Sequence, residues 1–159
     1  MATPASTRTD ASDFLEQMKR ELQKLIGAAL SEMTTKERLL SMRCDRASIY
    51  SLCSALKDKF GFEHLSLITA VDRLNLFELV YQLTSYRNHC MVEIRVGIPK
   101  DDCRVGSVTP LWGGANWHER EAYDMMGIVF EGHPDPRRIL LPQDYRYFPL
   151  RKDFRMEEE

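Results

Sequence analysis

Between positions 76 and 98 the chain alternates in polarity with a period of two residues, and no other feature restricts its fold so tightly. Phe77, Leu79, Tyr81 and Leu83 fall on one side of the first extended segment, and Cys90, Val92, Ile94, Val96 and Ile98 on one side of the second. Successive side chains of a strand point to opposite faces, so each segment offers one face to a core and one to water. Only Tyr86-Arg87-Asn88-His89 lies between them, which implies an antiparallel hairpin. A further apolar segment at 65–71 extends the sheet, as does a short one in which Leu40, Met42 and Cys44 alternate with Ser41 and Arg43. Ile49, Leu52, Cys53, Leu56 and Phe60 then recur at helical spacing from Asp45 to a stop at Gly61. Ahead of the sheet, Phe14, Leu15, Met18, Leu22, Leu25, Ile26, Leu30 and Met33 make a helical stripe. An N-terminal helix is therefore expected within 13–33, opening on an Asp13–Glu16 capping box and reaching about Ser31.

A sheet that hides one face and helices with one apolar stripe pack as layers. The expectation is an α+β single domain over 13–154, with a mostly antiparallel sheet in 36–98, helices packed on one face, and an irregular C-terminal extension in 107–154. A flexible N-terminus (1–12) and an acidic tail (155–159) flank it. At 159 residues and 43% hydrophobic, the chain is long enough for a core of its own.

Composition removes several function classes. A formal net charge of -2 is unlike a nucleic-acid-binding domain, which carries a basic excess. No window of about 18 consecutive apolar residues exists, so direct membrane insertion is not expected. The first residues lack the apolar region of a signal peptide and include Asp10 and Asp13. Cys44, Cys53, Cys90 and Cys103 contain no CxxC pair, which leaves them as buried thiols rather than zinc or iron–sulfur ligands. GxxxxGK[ST] and GxGxxG are both absent. Gly113-Gly114 is read as a place where the backbone passes close to a neighbour, and Ser107 as the cap of a short turn. His64 and His89 stand alone, as structural histidines do.

The densest chemistry lies in 116–154. Asn116 is expected as N-cap of a short helix, Glu119 as the carboxylate of its capping box, and Gly127 as its left-handed C-terminal residue. On that helix Trp117, Glu121 and Asp124 share a side, and Arg120 reaches Asp124 at i,i+4. Beyond it, Pro134 and Pro136 stiffen a loop that presents His133, Arg137 and Arg138 outward. Ile139-Leu140-Leu141 and Pro149-Leu150 are read as apolar anchors to the core.

His118, Glu119, Glu121, Asp124 and His133 are candidate ligands or bases for a free-standing metal- or carboxylate-dependent enzyme. The spacing opposes it: position 122, where a zincin needs its second histidine, is Ala122, and Glu-x-x-His is missing. Glu121 and Asp124 as a catalytic carboxylate pair compete with an ion network involving Arg120, Arg137 and Arg138.

With these residues in view, the stretch resembles the 30-kDa subunit family of respiratory complex I, known in bacteria as the C subunit. The family's signature stands here as Glu119-Arg120-Glu121, Asp124, Met125-Met126, His133, Arg137 and Ile139-Leu140. It is flanked by Ala115-Asn116-Trp117, Gly127-Ile128, Phe130-Glu131-Gly132-His133-Pro134 and Pro149-Leu150-Arg151-Lys152-Asp153-Phe154. Val71-Asp72, Phe77-Glu78-Leu79-Val80-Tyr81 and Leu83-Thr84-Ser85 are similar too, so the resemblance spans roughly residues 36–154.

The resemblance implies a non-catalytic peripheral-arm subunit of a proton-pumping complex, itself free of flavin, quinone and iron–sulfur cluster. Iron–sulfur clusters and quinone are then expected in partner subunits. Its implied partners are the large quinone-site subunit (the 49-kDa type) and neighbouring iron–sulfur subunits, in a hetero-oligomer held peripherally on the cytoplasmic side of the cell membrane. Trp117, Glu119, Arg120, Glu121, Asp124, His133, Arg137, Arg138, Arg151, Lys152 and Asp153 would hold the stretch together and dock it. Pro136 stands where the family commonly has leucine, and Arg146-Tyr147-Phe148 replaces a glycine-containing turn. The stop soon after Phe154 points away from a fusion to the large partner. Similar subunits serve deazaflavin-dependent and ferredoxin-linked complexes and membrane-bound hydrogenases, so the small subunit of a hydrogenase-type complex is the alternative.

Overall fold

The two alternating segments become the centre of a five-stranded sheet. The computed structural model describes residues 4–155, with side chains from residue 11 onward. In chain order the elements are α1 (Pro4–Ile26), β1 (Leu30–Lys36), β2 (Leu39–Cys44), α2 (Ile49–Asp58), β3 (His64–Asp72), β4 (Leu76–Ser85), β5 (Cys90–Pro99), β6 (Arg104–Gly106), α3 (Ala115–Met126) and β7 (Val129–Glu131). The sheet order is β1-β2-β5-β4-β3, antiparallel except between β2 and β5. The fold is α+β, as the alternation implies.

Register explains the core. Phe77, Leu79, Tyr81 and Leu83 of β4 stand opposite Ile98, Val96, Ile94 and Val92 of β5, and Met42 of β2 stands beside Ile94. Leu15, Met18 and Leu22 of α1, Leu52 and Leu56 of α2, and Ala122, Met125 and Met126 of α3 are buried in the same cluster. The β4–β5 connection forms at 86–89 as expected, and Asn88 ties it down by donating to the Phe60 carbonyl (3.2 Å) and the Ser85 hydroxyl (3.0 Å). The opposite sheet face is polar and internally paired: Arg43 bridges Glu32 (2.6 Å) and Glu78 (3.1 Å), and Arg73 also reaches Glu78 (2.8 Å).

Several expectations about local structure are corrected. The first helix starts at Pro4, so 4–12 is helical and Asp13–Glu16 lies inside it; residues 1–3 and 156–159 fall outside the described residues. It also ends at Ile26 rather than near Ser31, because Gly27 opens a 3-10 turn and Leu30 begins β1. Leu25, counted in the helical stripe, is exposed. β1 has no signature in the sequence because its pairing shifts between Ser31 and Thr34, with Glu32 at φ 51, and that irregularity destroys the period-two pattern. The second helix begins at Ile49 after a 3-10 turn at Arg46–Ser48, not at Asp45. Finally, β6 and β7 pair in parallel as a separate two-stranded sheet. Each has three residues, too short for any period to register.

Candidate functional site

α3 is the spine of the charged stretch. It starts just after Gly113-Gly114, both exposed, where no other part of the described chain comes within 4 Å of where a Cβ would sit. Asn116 is not the N-cap. It lies in the first turn, and its carbonyl oxygen is 3.2 Å from His133 Nε2. Glu119 does not close a capping box either; it points into the protein and is fully buried.

Two buried carboxylates on α3 hold the segments before and after it. Glu119 accepts from Ser107 Oγ (2.6 Å), the Val108 backbone N–H (2.7 Å) and Thr109 Oγ1 (3.1 Å). Ser107 caps the short turn as expected, its Oγ accepting the Thr109 N–H (3.1 Å), and serves α3 as well. Burial raises the Glu119 carboxyl above its ordinary pKa, against these donors and His133 at 3.9 Å, which pull it down. Asp124, also fully buried, takes Arg138 Nη1 on one oxygen (2.6 Å) and the N–H groups of Ile139 (3.1 Å), Leu140 (2.7 Å) and Leu141 (2.9 Å) on the other. Burial works to raise this carboxyl as well, but Arg138 and three amides outweigh it and hold the group below its ordinary value.

Around this axis the arginines are structural. Arg138 is buried, donates also to the Asp124 and Tyr147 carbonyls, and lies among the rings of Tyr123, Tyr145 and Phe148 at 5.8, 5.8 and 5.1 Å. Arg120 donates to the carbonyls of Arg137 and Arg138, both at 2.9 Å, so the expected Arg120–Asp124 pair does not form. Arg151 donates to the Met126 carbonyl (2.6 Å) and stacks on Phe77 (5.0 Å) and Phe148 (4.7 Å). The expected left-handed Gly127 is present at φ 76. A Cβ there would lie 2.5 Å from Arg151 Nη2 and 2.8 Å from the Phe148 ring. At the far end, Asp72 accepts the Lys152 N–H (2.8 Å) and pairs with Lys100, which together outweigh burial and lower its pKa.

The loop after β7 is pinned rather than presented. His133 accepts the Asp135 N–H on Nδ1 (2.9 Å), which leaves the proton on Nε2, facing the Asn116 carbonyl. Only Arg137 of the expected outward trio is open to solvent, since the side chains of His133 and Arg138 are 3% and 6% exposed. Arg137 grips Asp135 with two hydrogen bonds (2.6 and 2.9 Å) and, against slight burial, brings its carboxyl to about 2.

Trp117, Glu121 and Asp124 do not share a common environment. Their helical angles agree, but 138–148 folds over the last turn of α3 and buries Asp124, leaving Trp117 (62% exposed) and Glu121 open on the first turns. The five residues of the metal- or carboxylate-enzyme reading are therefore not gathered: Glu119 and Asp124 serve different loops, and Glu121 faces solvent. Among the described residues no cluster of three or more His, Cys, Asp or Glu side chains is arranged for a metal. Cys44, Cys53 and Cys90 are free and buried; burial pushes Cys44 up to about 12 and Cys90 to about 11. Cys103 is only partly buried.

Of the expected apolar anchors, Leu141 packs against the core, and two others are corrected. Leu140 and Leu150 are 62% and 58% exposed, and hydrogen bonds hold their segments instead. Trp117 and Tyr147 in the same stretch are exposed as well, and so are Glu121, Arg137, Lys152 and Asp153. The sequence reading gives no site role to Thr109 or to the rings Tyr123 and Tyr145, and it names Asp72 and Phe148 only within the family comparison. Asp72 carries a signal in its register, since it stands opposite inward-facing Phe77.

Fold and site together define an α+β protein whose densest chemistry is internal bracing beneath an exposed apolar and charged surface. Residues 42–159 match the family model described as respiratory-chain NADH dehydrogenase, 30 Kd subunit. The C subunit of the NADH-quinone oxidoreductase of Geobacter metallireducens is 34% identical over 141 residues, covering 86% of this chain and 87% of the relative. That of Moorella thermoacetica is 43% identical over 113 residues, covering 70% and 76%. Among solved structures, a chain of an archaeal respiratory membrane complex, the membrane-bound sulfane sulfur reductase, superposes with a TM-score of 0.77 at 26% identity, over 89% of this chain and 85% of that one. The trypsin-resistant fragment of Nqo5 superposes at 0.63 with 32% identity, over 75% and 98%. This chain belongs to the 30-kDa subunit family of the respiratory-chain NADH dehydrogenase, complex I. Its relatives are subunits of multi-subunit electron-transport complexes associated with membranes, and no helix among the described residues is long and apolar enough to cross one.

Proposed function

We propose that this chain is a non-catalytic, cofactor-free peripheral-arm subunit of a proton-pumping, complex I-type oxidoreductase. In this reading it supports the assembly of the large quinone-site subunit and sits on the cytoplasmic side of the membrane, with the clusters and quinone held by its partners. The observation that carries the reading is the division of labour on α3. Glu119, Asp124 and Arg138 are consumed in internal bonds, while Trp117, Leu140, Tyr147 and Leu150 stand exposed on the braced scaffold. Exposed aromatic and aliphatic groups beside an arginine suit a protein interface. The relatives named for NADH and quinone favour that donor and acceptor over a hydrogenase-type setting.

Because Asp124 and Arg138 are buried, substituting them tests folding; the interface is tested at exposed positions. Affinity purification from native membranes should recover the wild-type chain with cluster-bearing and membrane subunits. Trp117→Ala combined with Leu150→Asp should lower that recovery about tenfold at an unchanged melting temperature. Recovery of the wild-type chain alone and soluble at full cellular yield would sink the reading.

A further inference from the structure

Beside α3 lies a cavity of about 270 Å³, walled by Val129, Phe130, Pro136 and the Tyr123 ring, with Glu119, Arg120 and His133 completing it. Small-molecule sites generally run from about 300 to 1,000 Å³, so this one is scaled to a side chain rather than a cofactor. Its ionisable members Glu119, Arg120 and His133 are already engaged. The Glu119 oxygens take three donors, both His133 nitrogens have backbone partners, and Arg120 spends its nitrogens on two carbonyls and on Asp135 at 3.5 Å. A strongly polar occupant would give up more hydrogen bonds to water than these engaged groups return. Charge narrows the choice further: an anionic group would meet Glu119 and a cationic one Arg120. The occupant that fits is neutral, and the guanidinium and Tyr123 ring in the wall favour a ring over an aliphatic chain. At its rim Val129 is 39% exposed, and the exposed Trp117 ring lies 5.6 Å from the Arg120 guanidinium in the wall.

We propose that this cavity is the anchor socket of the subunit interface and receives one neutral aromatic side chain from a neighbouring subunit. The proposal rests on the docking reading above and adds where the interface centres and what fills it, since buried aromatic anchors in pockets carry much of an interface's energy. Val129 is the handle, because its side chain borders the cavity while its main chain holds β7. In the intact complex purified from membranes, Val129→Trp should fill the socket and lower recovery of the chain with its partners at least about tenfold, whereas Val129→Ala should stay within about twofold. Circular dichroism and melting of the full chain check that Val129→Trp folds; should it not, a diazirine analogue of leucine placed at 129 gives the second reading. Photolysis in the assembled complex should attach that group to an aromatic residue of another subunit. Normal assembly of folded Val129→Trp, or attachment only to non-aromatic residues, overturns the socket and leaves the docking reading standing. Wild-type chain recovered without partners overturns the docking reading, and the socket with it.

Discussion

Glu119 and Asp124 lie five residues apart on one helix and respond oppositely to charge. The three donors facing Glu119 include two hydroxyls, which can turn to accept, so a neutral amide fits: Oε1 takes the Val108 N–H while Nε2 donates to Ser107 and Thr109. Glu119→Gln should therefore stay within about 1 kcal/mol of wild type at pH 7 in urea unfolding, whereas Glu119→Ala, which orphans the Val108 N–H and opens a void, should cost about 2–4 kcal/mol. The pH profile separates the two roles of the group. Its folded pKa is raised, so the folded state holds the proton more tightly, and stability falls as pH rises from the ordinary glutamate value of about 4.3 through the raised one. Urea titrations across this window should show that fall in the wild type and not in Glu119→Gln. Asp124 has the opposite sign: its lowered pKa contributes stability that is present above the ordinary carboxylate range and lost as pH falls through the folded value. No neutral substitute serves there. In Asp124→Asn one oxygen can keep the three amides, but the NH₂ group then faces Arg138 and leaves a buried guanidinium without its anion. A loss of about 3–5 kcal/mol is expected from chemical denaturation.

At the scale of elements, α3 and the irregular segment after it are one unit, and Gly127 is its hinge point. Alanine there must adopt a left-handed conformation, costing about 1–2 kcal/mol, and its Cβ displaces Arg151 and Phe148. Gly127→Ala should lower the melting temperature and expose residues 139–155 to limited proteolysis before the sheet; equal protection of both regions would contradict the coupling. The elements most legible in the sequence are those with an uninterrupted period. β2, β4, β5 and the stop of α2 at Gly61 follow directly from alternation and spacing. β1 is hidden by its own bulge, and the true end of α1 by a stripe that continues by coincidence past Gly27. The charged stretch is legible as important, yet its orientation is not. Sequence spacing gives an angle around the helix, but which side another segment covers is decided by the rest of the chain. Hence spacing alone turns Arg138 and His133 outward, and Leu140 and Leu150 inward, against what the packing shows.

For the whole molecule, the polar sheet face and the α3 surface are different kinds of exterior. On the first, Glu32, Arg43, Glu78 and Arg73 neutralise one another in the plane of the sheet. On the second, Trp117, Val129, Leu140, Tyr147 and Leu150 remain exposed, which is where the interface variants proposed above should act. The resemblance names the kind of partner but not the geometry, because residues that brace and residues that dock are interleaved within a single motif. The bond between Asp124 and residues 138–141 also fixes an order of events during synthesis. α3 is made complete with a carboxylate destined for the interior, and until Arg138 and the three amides beyond it have been added, that helix carries a charge it cannot bury. The emerging chain must keep this part of its core open to water, and the segment that closes it supplies the countercharge as it arrives.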